Sequence, residues 1–286
     1  MQKQDFPLVS VVIPAYNHES YVQKSLDSVA EQDYPNKEII VINDGSMDET
    51  MLKIESWIQC NKLTQITFKN QSNAGIATTL NRLLELASGE YIALSSSDDY
   101  LLPGSLSKRI ERLQKVNKKA IFGDCIVINE NEKKIHNSVI SGLYDGNKKL
   151  LNSEKHLKSQ ILRKFSVAGP AILFHRSILS SEENFDPNLL VEDWDFCLKL
   201  AVKHELAFVD YAVGAYRLHK SNTINRENSV LDGLSYEEKI YNKYKNHFVG
   251  EDLKFINRRL RKISFKRFKI KIRARSGKIL KRFLGH

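Results

Sequence analysis

Apolar positions follow two alternating rhythms over the first third of the chain. Short, nearly unbroken apolar runs occur at Leu8 to Pro14 (LVSVVIP), Glu38 to Ile42 (EIIVI) and Tyr91 to Leu94, with a shorter stretch at Gln65 to Lys69. Runs of this length, rich in β-branched residues and closed by polar clusters, predict buried strands. Between them apolar residues recur every three or four positions. Val22, Leu26, Val29 and Ala30 do so within Glu19 to Gln32, and Ile76, Leu80, Leu83, Leu84 and Ala87 within Ala74 to Ala87. That spacing lines one side of a helix. Ser46 and Glu49 fit a capping box, which predicts a further helix to about Ile58.

Strand and helix therefore alternate as far as Leu94, which predicts an α/β fold with a parallel sheet covered by helices on both faces. Ligands of such sheets lie beyond the carboxyl ends of the strands. The polar clusters fall there: Tyr16-Asn17 after the first strand, Asn43-Asp44-Gly45 after the second, Asn73 and Gly75 after the third, Asp98-Asp99 after the fourth. Adjacent carboxylates repel unless a positive charge stands beside them. A hard divalent cation, itself holding phosphate oxygens, meets that need. Taken alone, Asp98-Asp99 reads equally well as a turn before Pro103.

The pattern from Leu106 to Leu190 is less regular. A strand pair is expected at Ala120 to Asn129 and Lys133 to Val139, a helix at Lys155 to Lys164, and a strand at Val167 to His175. Glu192 to Val202 has Phe196, Leu200 and Ala201 on one helical side, and Ala207 to Leu218 alternates as one or two strands.

Composition narrows the class. A chain of 286 residues with 42% apolar and 27% charged residues suits one large soluble domain, or one domain plus an appendage. Cys60, Cys125 and Cys197 are too far apart for a metal-ligand motif, and their odd number predicts reduced cytosolic thiols. MQKQDFPLVS lacks the apolar core of a signal peptide, and no apolar run approaches the roughly 20 residues of a membrane span. The net charge of +10 is not spread evenly. Residues 253–286 hold 14 Lys or Arg and no Asp or Glu, leaving 30 basic against 34 acidic groups in the other 252 residues. Phe255, Ile256, Leu260, Ile263, Phe268, Ile272, Ile279 and Phe283 recur among those basic residues at roughly helical spacing. Such a tail suits an amphipathic element on an anionic membrane surface; a solvated tail is the alternative, and the alternation of Phe268, Ile270 and Ile272 leaves a local strand open. No nucleic-acid-binding motif accompanies the charge, so no nucleic acid is expected as a partner.

Five segments, VSVVIPAYN, VINDGSMDET, NAGIATTLNRLLELASGEYIALSSSDDYLLP, VEDWDFCLKLA and YRLHKS, follow one another between Leu8 and Ile224. In that order they resemble the inverting, nucleotide-sugar-dependent glycosyltransferases of family 2. The resemblance implies a GT-A, Rossmann-like domain over 1–224, with a mostly parallel sheet flanked by helices, a nucleotide-binding half (1–104) and an acceptor half (105–224). Residues 225–286 would be a basic, helical C-terminal extension. It further implies that Pro14, Tyr16 and Asn17 line the nucleotide base, that Asp44 accepts hydrogen bonds from base or ribose, and that Asn73 and Gly75 shape the same pocket. Asp98 and Asp99 would hold the ribose and Mg²⁺ or Mn²⁺, with His219 at the metal or diphosphate. Asp193 would be the general base, Glu192 would orient it or bind acceptor hydroxyls, and Trp194 would be a secondary acceptor contact.

Two positions depart from the family pattern. Ser96 stands where the acidic signature usually begins with an aspartate, and Leu80 stands where an arginine often touches the donor. The implied reaction moves a hexosyl or N-acetylhexosaminyl group from a nucleotide-diphosphate donor, UDP by family habit, to a hydroxyl of a glycan or lipid-linked glycan. Surface polysaccharide, lipopolysaccharide or capsule synthesis at the inner face of a bacterial cell membrane would use such a step. Two rival readings are a sugar-phosphate nucleotidyltransferase and a non-catalytic binding module with a membrane-binding tail. The first expects a glycine-rich basic loop after the first strand, whereas Pro14 to Ser20 holds no Gly, Lys or Arg. Oligomeric state stays open.

Overall fold

Local periodicity becomes architecture along the first four strands. The computed structural model describes residues 6–62, 65–180, 184–220, 222 and 230–283, with side chains of the last segment through 270. β1 (Val9–Ala15), β2 (Lys37–Asp44), β3 (Ile66–Gln71) and β4 (Tyr91–Leu94) follow the expected runs, separated by α1 (Val22–Ala30), α2 (Thr50–Cys60) and α3 (Ile76–Leu86). β1 pairs in parallel with β2 on one side and β4 on the other, and β2 with β3. Val9, Val11, Ile13, Leu26, Val29, Ile54 and Trp57 join one continuous core, so the helical stripes cover the sheet as their spacing requires.

The second half departs from the parallel pattern. β5 (Tyr100–Leu101), α4 (Ser105–Lys115), β6 (Ala120–Asn129), β7 (Lys134–His136), α5 (Lys148–Leu151), α6 (Glu154–Arg163), β8 (Ile172–His175), α7 (Glu192–Val202) and β9 (Leu206–Leu218) complete this part. The sheet order is β3-β2-β1-β4-β8-β6-β9-β5, with β7 beside β6. β8 is antiparallel to both neighbours, while β6 and β9 run parallel. The whole is a mixed sheet whose parallel core is β1 to β4. The direction of winding reverses between β1 and β4, the place in such sheets where ligands bind.

Several expectations are adjusted. Only Ile172–His175 of the expected Val167 strand pairs, because Pro170 lies in a 3-10 turn at Gly169–Ala171 and cannot donate to a ladder. The strand expected through Val139 stops at His136, and a π-helical turn, Val139–Leu143, follows. The capping box does not form: α2 has no side-chain cap on Glu49, and the Ser46 hydroxyl instead accepts the Asn17 N–H at 2.9 Å. Asp48 takes over, accepting the Thr50 N–H at 3.0 Å. α4 lay hidden because its middle is Arg109, fully buried between the apolar positions Leu106, Ile110 and Leu113.

The chain divides into two compact units, Met1–Lys220 and Ser221–His286. The expected boundary at 224 lies outside the described residues. In the second unit α8 (Val230–Tyr244) packs with α9 (Gly250–Phe283), and the pairs Arg259–Glu237 and Arg267–Glu238 join the two helices. Helix, not strand, runs through Phe268, Ile270 and Ile272. Ile256 and Ile263 are buried, whereas Phe265 and Phe268 are 59% and 60% exposed.

Candidate active site

The loops after β1, β2 and β3 are stitched together at the carboxyl edge of the sheet. Asp44, the last residue of β2, is buried. Its Oδ1 accepts the Ala74 N–H at 2.8 Å and the Gln71 amide at 2.7 Å, and its Oδ2 accepts the Gly75 N–H at 3.0 Å. The two backbone donors stand at the start of α3, where the helix end favours negative charge. Any contact from Asp44 to a base or ribose therefore shares its oxygens with these donors. Gly45 has φ +72°, and a Cβ there would stand 2.6 Å from the Asn73 nitrogen, so only glycine lets the two loops meet. Asn73 and Gly75 are exposed at this edge. Asn17 adopts φ 55°, and its Oδ1 accepts the Met47 N–H at 2.8 Å. Pro14 and Tyr16 lie half-buried just before it, at the end of β1.

The loop after β4 carries the strongest electrostatics. Asp98 Oδ2 lies 2.9 Å from His219 Nε2 and 3.7 Å from His18 Nε2. The Ser96 hydroxyl donates to the other carboxylate oxygen. Burial alone would raise the Asp98 pKa, but the His219 hydrogen bond, the His18 charge and the Ser96 hydroxyl outweigh it and hold it at about 2. Asp99 turns the opposite way, and its Oδ1 accepts the Arg217 N–H at 2.7 Å. Burial first, then the Asp98 charge, push the Asp99 carboxyl well above the usual range. Of the three expected metal ligands, the structure thus brings Asp98 and His219 together, adds His18, and faces Asp99 toward β9.

Arg217 ties these pieces to the sheet. The residue is 1% exposed. Nε donates to the Asp98 carbonyl at 2.8 Å, the guanidinium reaches the Asn129 and Glu130 carbonyls and Glu132, and it stacks 4.7 Å from the Tyr21 ring centre. Sequence reading missed both His18 and Arg217. The signal for His18 was its place directly after Tyr16-Asn17; that for Arg217 was its place two residues before His219.

Glu192 and Asp193 occupy the first turn of α7. Both remain partly open to solvent, yet surrounding protein desolvates them enough to raise their carboxyls, Asp193 to about 6 and Glu192 to about 8, the latter also through the Asp193 charge. The Asp193 Oδ1 accepts the Trp194 N–H at 2.7 Å. The Trp194 indole donates to the Ile161 carbonyl at 2.9 Å and stacks against Phe165, a packing arrangement for the expected acceptor contact. Tyr144 and Tyr216 hydrogen-bond each other. Burial raises both hydroxyl pKa values, with the Asp193 and Asp99 charges adding at Tyr144 and the Asp99 and Asp98 charges at Tyr216. This phenol pair therefore lies in the field of both carboxylate groups.

The donor set fits a divalent cation. One carboxylate held ionised and two imidazoles offer ligand atoms all within 4.8 Å of one another. The sequence model of Glycosyl transferase family 2 matches residues 10–181. The chain belongs to glycosyltransferase family 2. An uncharacterized glycosyltransferase of Haemophilus influenzae is 28% identical over 275 residues, covering 89% of this chain and 79% of its own. The Escherichia coli UDP-Glc:alpha-D-GlcNAc-diphosphoundecaprenol beta-1,3-glucosyltransferase WfgD is 26% identical, covering 75% of this chain and 79% of its own. Residues 1–349 of S. aureus TarS, bound to UDP-GlcNAc, share the GT-A fold with a TM-score of 0.67 at 20% identity, covering 91% of this chain and 72% of theirs. The mannosyltransferase PcManGT of Pyrobaculum calidifontis, bound to GDP-Man and Mn²⁺, superposes with a TM-score of 0.67 at 18% identity, covering 90% of this chain and 69% of its own. Family membership makes the chain a glycosyltransferase with the expected GT-A architecture.

Removing the Arg217 guanidinium leaves the Asp98, Asn129 and Glu130 carbonyls without their buried donor. Arg217→Met is expected to lower unfolding free energy by about 3–5 kcal/mol, the cost of breaking a buried charged network from one side. Urea denaturation measures it; a change within about 0.5 kcal/mol, the range of ordinary surface substitutions, would contradict the organising role of this residue.

Proposed function

We propose that the protein transfers a hexosyl or N-acetylhexosaminyl group, with inversion, from a UDP-sugar to a hydroxyl of a glycan or lipid-linked glycan acceptor. The observation carrying this reading is Asp193: a carboxylate at a helix start, partly open to solvent, with a proton affinity raised toward neutrality. An acceptor hydroxyl is a poor nucleophile, and a carboxylate that takes its proton during attack is worth roughly 10²–10⁴-fold. Glu192, raised further, would hold a proton and present a donor to an acceptor oxygen. Asp98, His219 and His18 would hold Mg²⁺ or Mn²⁺, which supplies Lewis-acid stabilisation of the departing diphosphate when bound. Asp44, Asn17, Asn73 and Gly75, with Pro14 and Tyr16, would bind the nucleoside, and Asp99 would keep Asp98 in place through Arg217.

The substrate class draws on relatives. WfgD is named for UDP-Glc and a diphosphoundecaprenol-linked acceptor, and TarS is bound to UDP-GlcNAc. A polyprenyl-linked acceptor sits at a membrane surface, where the basic run of α9 would hold the enzyme by charge and by Phe265 and Phe268. No helix among the described residues is long and apolar enough to cross a membrane, so attachment would be peripheral, at the inner face. Lipopolysaccharide or capsule assembly is the setting such a reaction suits.

Asp193→Asn is expected to abolish sugar transfer while leaving UDP binding by calorimetry within about twofold; comparable turnover by the variant would sink the base assignment. The pH profile has a definite sign. The base works ionised, so kcat/KM should be highest above its raised pKa of about 6 and fall about tenfold per unit below it. A profile flat down to pH 4.5 would contradict it. For the tail, Phe265→Ser with Phe268→Ser should reduce co-sedimentation with vesicles containing phosphatidylglycerol without altering the melting temperature, since both rings are exposed. Equal pelleting of variant and parent would remove the membrane contact through these rings.

A further inference from the structure

His18 has no counterpart among the residues the sequence pattern singles out, yet it is built into the metal corner from three directions. Its backbone N–H donates to Thr50 Oγ1 at 2.7 Å, which anchors it to the start of α2. The preceding Asn17 holds a left-handed φ of 55°, a conformation a non-glycine residue adopts only when neighbours enforce it. Those neighbours are the Ser46 hydroxyl and the Met47 N–H. The imidazole Nδ1 lies 2.7 Å from the Ser97 hydroxyl, a fully buried group, so Nε2 is the nitrogen turned toward Asp98. An imidazole aimed through its second nitrogen by a hydroxyl has the support that metal-ligating histidines carry. The His18 and His219 rings stand edge to face, 5.4 Å apart at 87°, with Asp98 Oδ2 close to both Nε2 atoms.

The spacing suits shared ligation. With metal–donor bonds of about 2.1 Å, neighbouring donors on an octahedral ion stand about 3 Å apart and opposite ones about 4.2 Å. The distances of 2.9 Å and 3.7 Å from Asp98 Oδ2 fall across that span. Ser96 occupies the place of the leading aspartate, and its hydroxyl is spent on the far oxygen of Asp98. Where the family pattern has a carboxylate, at Ser96, the chain thus presents an imidazole nitrogen from the loop after β1 instead.

We propose that His18 is a third protein ligand of the metal and that it sets metal choice, favouring Mn²⁺ and later first-row ions over Mg²⁺. Mg²⁺ takes oxygen donors and tolerates imidazole poorly; Mn²⁺ accepts both, and affinity for nitrogen rises along the series. Replacing a carboxylate by imidazole also leaves one more positive charge on the ion for the donor diphosphate. The inference rests on reading this corner as a nucleotide-sugar metal site.

The test is equilibrium binding by the full chain, with UDP, Mn²⁺ and Mg²⁺ as probes. Free Mn²⁺ is read by electron paramagnetic resonance, and UDP with each metal by calorimetry, for the parent, His18→Ala and His18→Asp. The parent should bind Mn²⁺ at least about tenfold tighter than Mg²⁺ in the presence of UDP. His18→Ala should lose about tenfold or more for Mn²⁺ with Mg²⁺ changed less than about twofold, and His18→Asp should bind Mg²⁺ more tightly than the parent does. Circular dichroism at the assay temperature should show all three folded, so that the titrations compare ligation and not folding. Unchanged Mn²⁺ affinity in His18→Ala, or equal losses for both metals, would overturn the inference while UDP binding stands. No UDP binding with either metal would overturn both the inference and the reading beneath it.

Discussion

A single buried arginine holds the chemistry of this domain in register. Arg217 lies near the end of β9, and its guanidinium and N–H grip the Asp98 carbonyl and the Asp99 carboxylate across the sheet. Taking a guanidinium out of water is costly, and the cost is tolerable only where every face of the group is met. Here carbonyls, a carboxylate and the Tyr21 ring meet it. Because β9 pairs with β6 over almost its full length, the position of Arg217 is set by main-chain hydrogen bonds rather than by side-chain packing. His219 follows two residues later and arrives beside Asp98 for the same reason.

In this domain four carboxyl groups with ordinary intrinsic acidity acquire different behaviours. Asp98 is held ionised by two imidazoles and a hydroxyl. Asp99, one residue on, is pushed the other way by burial and by Asp98 itself. Asp193 and Glu192 are raised by desolvation at the start of α7. Pairs of titratable groups driven apart by environment are how one site performs both charge stabilisation and proton transfer. The Tyr144–Tyr216 pair stands in the field of both groups, and burial with those charges raises both phenols.

The chain's own periodicity made much of the fold legible. β1 to β4 and α1 to α3 lie within a few residues of where spacing puts them, because burial on a sheet face or helix stripe is written locally. The later strands were harder for a physical reason. β8 is antiparallel among parallel neighbours, Pro170 truncates it, and Arg109 interrupts the apolar face of α4 with a buried charge. The capping box at Ser46 misled because a hydroxyl can serve a neighbouring loop as easily as its own helix.

Sequence by itself determined the first four strands and the polar clusters at their ends, the acidic pair at Asp98-Asp99, the carboxylates opening α7, and the family, since each is a short pattern in consecutive residues. Only the tertiary structure decided which atoms face one another. Residues 18, 98 and 219 share no local pattern, and their meeting depends on the segment after β4, which touches His18 through Ser97 and then enters β5, whose pairing with β9 sets Asp98 beside His219. The same pairing turns Asp99 toward Arg217, away from the two imidazoles around Asp98. Side-chain direction at a strand end is fixed by long-range hydrogen bonds, which no stretch of consecutive residues contains.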